Sequence, residues 1–221
     1  METGLRNFFT DIYKWMVAGL ILSGLAAWLT VNSPLVVFLQ NPVLFWGTVA
    51  VEIALLFIIQ WGINRLSYQH SFVLYFVYAI LNGITISGLL LYYLTKSPSL
   101  VLIIFGVAAS MFVLLAMLGY HTKRDLSSWG TFLIAGVWGV FIASIINIFL
   151  QNSMFDLFIS AVALIVFAGL TVYDNQFYKN LYAQLPNEEE RAKAVTIGAL
   201  HMYINFIMIL QSLLNLVMGR D

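Results

Sequence analysis

Residues 100–119 read LVLIIFGVAASMFVLLAMLG, a stretch without a charged residue or a proline. A helix rising about 1.5 Å per residue needs about 20 mostly apolar residues to cross roughly 30 Å of hydrocarbon, and this segment meets that length. Runs of the same kind lie on both sides of it: Ile12 to Val31, Pro42 to Trp61, Ser71 to Leu94, Trp129 to Leu150, Met154 to Leu181 and Ala192 to Val217, seven in all. Pro34, Pro42, Pro98 and Pro186 fall between these runs or at their edges, where a missing backbone donor does little harm. A closed barrel would instead show alternating segments near 10 residues. The expected fold is an all-α membrane protein, a single domain over residues 1–221 with seven transmembrane helices.

Composition agrees. Of 221 residues, 62% are hydrophobic and 9% charged, which excludes an ordinary soluble domain, where roughly a quarter are charged. Ten Lys and Arg balance ten Asp and Glu, so no basic excess exists to neutralise phosphates, and nucleic acid is excluded as a partner. Cysteine is absent, which removes disulfides, zinc thiolates and thiol nucleophiles together.

The first run ends in Leu29-Thr30-Val31 without a small-residue cleavage pattern and is expected to be a retained helix. Lys and Arg flanking the spans set orientation. Arg6, Lys14, Arg65, Lys123, Arg124, Lys179, Arg191 and Lys193 lie on the side of the N-terminus and the even connections, against Lys96 and Arg220 on the other. Eight against two predicts a multi-pass protein of the cytoplasmic (inner) membrane, with the N-terminus cytoplasmic and the C-terminus outside. Small residues four apart, Gly106 with Ser110 and Gly139 with Ala143, are expected to let helices approach closely.

A carboxylate inside a membrane helix costs a few kcal/mol, on the order of 3 on insertion scales, so each one calls for an explanation. Glu52 falls near the middle of the second run and Asp174 toward the cytoplasmic end of the sixth. Either is a paired structural acid or an ion or proton site. In the seventh run Ala194, Gly198, His201, Asn205, Met208, Ser212 and Asn215 recur at three- and four-residue steps and share a helical face. That small, polar stripe is unfavourable in lipid, so the seventh helix is expected to be central in the bundle. Asn82, Asn147, Ser212 and Asn215 are expected to contribute to a polar network, either as plain interhelical hydrogen bonds or as lining of an ion route.

No His-Glu-x-x-His pattern, glycine-rich phosphate loop or Gly-x-Ser-x-Gly elbow occurs, so no enzymatic activity and no cofactor are expected. A retinal Schiff base would need a lysine deep in the last helix, and Lys193 stands at its edge.

Three stretches resemble the signatures of the Bax inhibitor family, also called transmembrane Bax-inhibitor-motif proteins. They are GYHTKRDLS at residues 119–127, GLTVYDNQ at 169–176 and GALHMYINFI at 198–207, in the family's order and on its elements, closest to the bacterial branch. The resemblance implies a bundle with a central seventh helix and a pH-sensitive calcium leak across the bilayer. In the family, two aspartates on the sixth and seventh helices share a proton and sense pH. The first corresponds to Asp174; the second position here is Asn205, and the family asparagine that follows is Met208.

Two carboxyls in contact share a proton because both cannot ionise cheaply, and an Asp beside an Asn lacks that coupling. His201, one turn before Asn205, titrates in the physiological range when unperturbed and is the substitute sensor. The expectation is passive conduction of Ca²⁺ or a related cation, with Asp174 as gate or oxygen ligand and Glu52, His201 and Asn205 along the route. The alternative is a non-conducting regulator or scaffold that binds membrane proteases or other membrane proteins. Proton-coupled transport is a third class.

Overall fold

A computed structural model describes residues 2–62 and 67–219, with the backbone alone at 2, 61 and 62. Arg65 and Arg220 lie outside the described residues. Among the described residues eight α-helices follow one another: α1 (Glu2–Val31), α2 (Val37–Gln40), α3 (Pro42–Gly62), α4 (Tyr68–Lys96), α5 (Pro98–His121), α6 (Ser127–Leu150), α7 (Ser153–Tyr182) and α8 (Glu188–Met218). A 3-10 turn, Pro34–Val36, precedes the one-turn α2, and no strand occurs among the described residues. Seven of these helices, all but α2, are long and apolar enough to cross a membrane, in agreement with the seven runs of the sequence.

The helix boundaries have local causes. Pro42 and Pro98 open α3 and α5, where the missing N–H has no intrahelical partner to lose. Asn41 accepts from the backbone N–H of Val43 at 2.9 Å, Asn152 from Phe155 at 3.0 Å and Asn187 from Glu190 at 2.8 Å, so side-chain oxygens cap α3, α7 and α8. Gln151 stops α6 in the left-handed conformation, φ 48°.

The chain divides into two compact units, one of Met1–Lys96 with Gln184–Tyr203 and one of Ser97–Ala183 with Ile204–Asp221. In the first, α4 packs against α1 and α3. The α1–α4 contact is close because Gly83 has no side chain, and a Cβ there would collide with the backbone of Ser23. In the second unit, α7 packs against α5 and α6. Gly119 plays the same part, since a Cβ would strike the carbonyl oxygen of Val172.

The small pairs singled out from spacing behave differently. Gly106 and Gly139 have open space where a Cβ would stand, and Gly106 and Ser110 are exposed. Their faces turn outward among residues such as Leu102 and Ile142, so four-residue spacing alone did not identify a packing face.

Large apolar side chains cover the outer faces of the other spanning helices; Phe149 and Ile165 are 82% and 72% exposed, which suits hydrocarbon and not water. The last helix is the exception. Within α8, 72% of the membrane-length window is buried, against 11–33% in the other six. Residues on all sides of it are enclosed: Asn205 and Ser212 on the polar face, Met202, Tyr203 and Ile209 elsewhere. Among the described residues α8, the seventh spanning helix, is thus the most enclosed of the seven, as the polar stripe in its sequence predicts.

Candidate functional site

In the second unit, α8 and α7 meet at Asn205 and Asp174. The Asn205 amide Nδ2 donates to Asp174 Oδ2 at 2.7 Å, and both residues are buried. Aromatic packing fixes the helix beside them: Phe206 meets Phe105 and Phe112 edge-on, with centroids 5.7 and 5.8 Å apart. One turn before Asp174, Thr171 donates to Phe167 O, and Asn175 Nδ2 donates to Thr171 O at 2.8 Å. The pair is a carboxylate held by an amide, within a helix that can span the bilayer.

The same two helices meet again farther along. Asn215 Nδ2 lies 2.6 Å from Asp156 Oδ2 and 2.8 Å from Ser160 Oγ, while Asn147 Nδ2 of α6 approaches Asp156 Oδ1 at 3.5 Å. Asn147 and Asn215, expected in one polar network, do converge, on an acid that the sequence reading passed over because it stands two residues inside the start of an apolar run.

Glu52 belongs to the first unit. It accepts from Thr85 Oγ1 at 2.8 Å and from Asn82 Nδ2 at 3.5 Å. Asn82 Oδ1 in turn accepts from the Tyr203 hydroxyl at 2.8 Å, and that oxygen lies 2.7 Å from Ser23 Oγ. Ser23 also donates to Ala79 O at 2.7 Å. One chain of polar atoms thus joins α3, α4, α8 and α1, and Glu52, Asn82, Tyr203 and Ser23 are all buried. Tyr203 and Ser23 were absent from the expected network. Tyr203 counts as apolar in a hydropathy pattern and lies off the polar stripe, so only its buried hydroxyl, which needs a partner, could have pointed to it.

His201 is half-buried, with Nε2 2.6 Å from Gln60 Nε2 on α3, also within the first unit. Ser212 is buried on α8 in the second. The expected residues thus form separate clusters: His201 with Gln60, Glu52 with Asn82, Asp174 with Asn205, and Asn147 with Asn215 around Asp156. Among the described residues no three His, Cys, Asp or Glu side chains gather as a metal site, so any cation held at Asp174 draws on amide, hydroxyl, carbonyl or water oxygens.

The stretches 119–127 and 169–176 contact each other. Gln176 Oε1 accepts from the Leu126 N–H at 2.8 Å and its Nε2 donates to Arg124 O at 2.6 Å. Lys179 Nζ donates to Tyr120 O at 2.7 Å. Asp125 accepts from the Ser127 hydroxyl and from its N–H, and these two bonds hold its carboxyl below the usual carboxylate range. The segment between α5 and α6 is therefore fastened to α7 next to the Asp174 turn.

Comparison with known proteins identifies the family of the chain. The family described as "Inhibitor of apoptosis-promoting Bax1" matches residues 5–221. A protein of Deinococcus radiodurans without an assigned role is 36% identical over 98% of this chain and 92% of its own length. The inner membrane protein YbhL of Escherichia coli K12 is 33% identical over 99% of this chain and 94% of its own. A Rickettsia prowazekii protein is 32% identical over 99% and 92%. With its three signature stretches on α5–α6, α7 and α8, and with nearly its whole length matched, this chain belongs to the Bax inhibitor family.

Proposed function

We propose that this chain is a multi-pass protein of the cytoplasmic (inner) membrane that passively conducts Ca²⁺ or a related cation, with Asp174 as gate or ligand. The observation that carries the proposal is the buried carboxylate of Asp174, held by Asn205 between two helices long and apolar enough to span a bilayer. An intramembrane acid costs enough to be retained for use, and its oxygens suit a hard cation. Glu52, with the Asn82 and Thr85 groups around it, supplies a second set of oxygens. The inner-membrane name of the Escherichia coli relative supports the location, and the excess of Lys and Arg on one side supports a cytoplasmic N-terminus and an external C-terminus.

The proton-sharing pair of aspartates implied by the family cannot operate with Asn205 in the second position. The proposed pH response is accordingly altered, with His201, beside Gln60, as the substitute sensor. Conduction needs neither catalysis nor a resident cofactor.

The deciding experiment is calcium entry into sealed vesicles containing the purified protein, across a pH series, for the native chain and Asp174→Asn. Protein-dependent entry reduced by the substitution supports conduction. No entry above protein-free vesicles refutes it and leaves the non-conducting regulator of other membrane proteins as the better account.

A further inference from the structure

In the second unit α5 and α6 both pack along α7, which keeps them apart: among the described residues they make no comparable contact with each other. α6 lies close on α7 where Gly130 faces Tyr173, Leu133 faces Gly169 and Gly136 faces Val166. α5 lies close on it where Gly119 faces Val172 and Asn175. At about 100° per residue, Gln176, Ile165 and Phe158 fall on the strip of α7 between those two lines of contact. Ile165 and Phe158 are 72% and 64% exposed, so the strip is the apolar floor of a trough open to hydrocarbon. Gln176 is buried because the segment between α5 and α6 crosses the strip there, held by both ends of its amide.

The bridge that closes the trough is cationic. Lys123 and Arg124 stand on it exposed, and neither makes an ion pair among the described residues. Asp125, the one acid of the segment, is turned to the Ser127 hydroxyl and N–H. Lys179 adds a third positive charge at Tyr120, where its ammonium meets the carbonyl and the ring rather than a carboxylate. Residues 122–126 join two helices of spanning length, so these charges lie where hydrocarbon gives way to headgroups. Trp129, 56% exposed on the first turn of α6, is of the residue type that favours that level. Positive charge above an apolar trough is the complement of an anionic phospholipid, with the phosphate on the cations and a chain along the floor. Ile165 lies about 16 Å along α7 from Gln176, about half of a roughly 30 Å hydrocarbon core, so the chain of one leaflet reaches it.

We propose that the bridge and the trough beneath it bind one anionic phospholipid of the phosphatidylglycerol type, its phosphodiester on Lys123 and Arg124 and an acyl chain over Ile165. Gln176 fixes the backbone at Arg124 and Leu126 beforehand, so binding orders two long side chains and no loop. The inference does not depend on cation conduction: it concerns which lipid the chain retains.

The test is photo-crosslinking of the full-length protein in nanodiscs, with phosphatidylglycerol or phosphatidylcholine carrying the same photoreactive acyl chain, and mapping of the labelled peptides by mass spectrometry. In the native protein the ratio of phosphatidylglycerol to phosphatidylcholine labelling around Ile165 should exceed the ratio on the exposed face of α1, at Val17, Ile21 and Leu25. The excess should be roughly fivefold or more, the factor that one Lys or Arg near the surface contributes. Lys123→Gln with Arg124→Gln, a change at two exposed side chains, should bring the trough ratio down to the α1 ratio, and Lys123→Arg with Arg124→Lys should keep it. Millimolar inorganic phosphate should leave the native ratio unchanged. The proposal is overturned by equal native ratios on the two faces, by a trough ratio that survives the double glutamine variant or is lost in the charge-preserving swap, or by one that inorganic phosphate abolishes, which would mark a site for free phosphate.

Discussion

Asn205 on α8 donates a 2.7 Å hydrogen bond to Asp174 on α7, at the position where the family resemblance places a second aspartate. Where the resemblance expects two acids, this chain brings an acid and an amide into contact. Restoring the acid with Asn205→Asp would set two carboxyls at hydrogen-bonding distance, and such a pair holds one proton between them. Calcium entry into vesicles should then acquire a steeper pH dependence near neutrality than the native protein has. An unchanged profile would remove this pair from the gating mechanism.

The same bond has a structural worth. Asn205→Leu leaves a buried carboxylate short of a donor, a loss of about 1.5–3 kcal/mol in water-soluble proteins. Interhelical hydrogen bonds in membranes average closer to about 0.6 kcal/mol because the separated helices find other partners. The expected cost is therefore about 1–2 kcal/mol, read from the midpoint of denaturant unfolding in mixed micelles. A change beneath about 0.3 kcal/mol would show that the bond contributes little.

In the first unit, Tyr203→Phe removes one oxygen from the chain of Glu52, Asn82, Tyr203 and Ser23 without altering packing volume. Asn82 Oδ1 loses its 2.8 Å donor, and Ser23 loses a neighbour. A loss of about 1–2 kcal/mol is expected, since a buried acceptor goes unsatisfied. Tyr203→Phe combined with Asn82→Leu should cost less than the sum of the single changes, because both break the same link. Strict additivity would show that the two groups are not coupled.

The spans were legible in the sequence because they follow from local chemistry, run length and proline at a first helical position, whereas α1 and α8 begin before their apolar runs and the asparagine caps show only in the structure. Asp174 and Asn205 could be paired only through the motif resemblance, since 31 positions separate them in the chain. Asp156 was passed over because a hydropathy window absorbs one acid at its edge, and its partners Asn147 and Asn215 become visible only once α6, α7 and α8 are placed. The polar stripe of α8 correctly marked an enclosed helix, yet it omitted Tyr203, whose ring is apolar and whose hydroxyl is not. Gly106 and Gly139 show the converse: spacing marks a face but not what that face meets.

Gln176 holds the segment between α5 and α6 by both ends of its amide, so Gln176→Ala should loosen residues 120–127 before the helices themselves. Two lost bonds of about 1 kcal/mol each would raise hydrogen exchange at the Leu126 amide by on the order of tenfold or more. Protection at Leu126 equal to that of the native chain would show that the clamp is not what holds it. Asp125 adds an acid limit: Ser127 depresses its folded pKa, so its contribution is complete above about pH 4 and is lost as the pH falls through the lowered value. Asp125→Asn should narrow the stability difference between neutral and strongly acidic solution.

Glycines in two environments give the last contrast. At Gly119 an added methyl would run into the Val172 carbonyl oxygen and crowd Asn175 Cβ at 2.9 Å, both on α7 and three residues or fewer from Asp174. Backbone cannot give way as a flexible side chain can, so α5 and α7 must separate, at a cost of about 1–3 kcal/mol for overpacking. At Gly106 nothing stands within 4 Å of the added carbon, and alanine is the better helix former. Gly119→Ala should therefore lower the unfolding midpoint and, by shifting the turn that carries Asp174, reduce calcium entry, while Gly106→Ala leaves both near native. Purified variants compared by thermal unfolding and by vesicle flux decide the matter. Equal behaviour of the two would mean that close approach of α5 to α7 at Gly119 is not what positions Asp174.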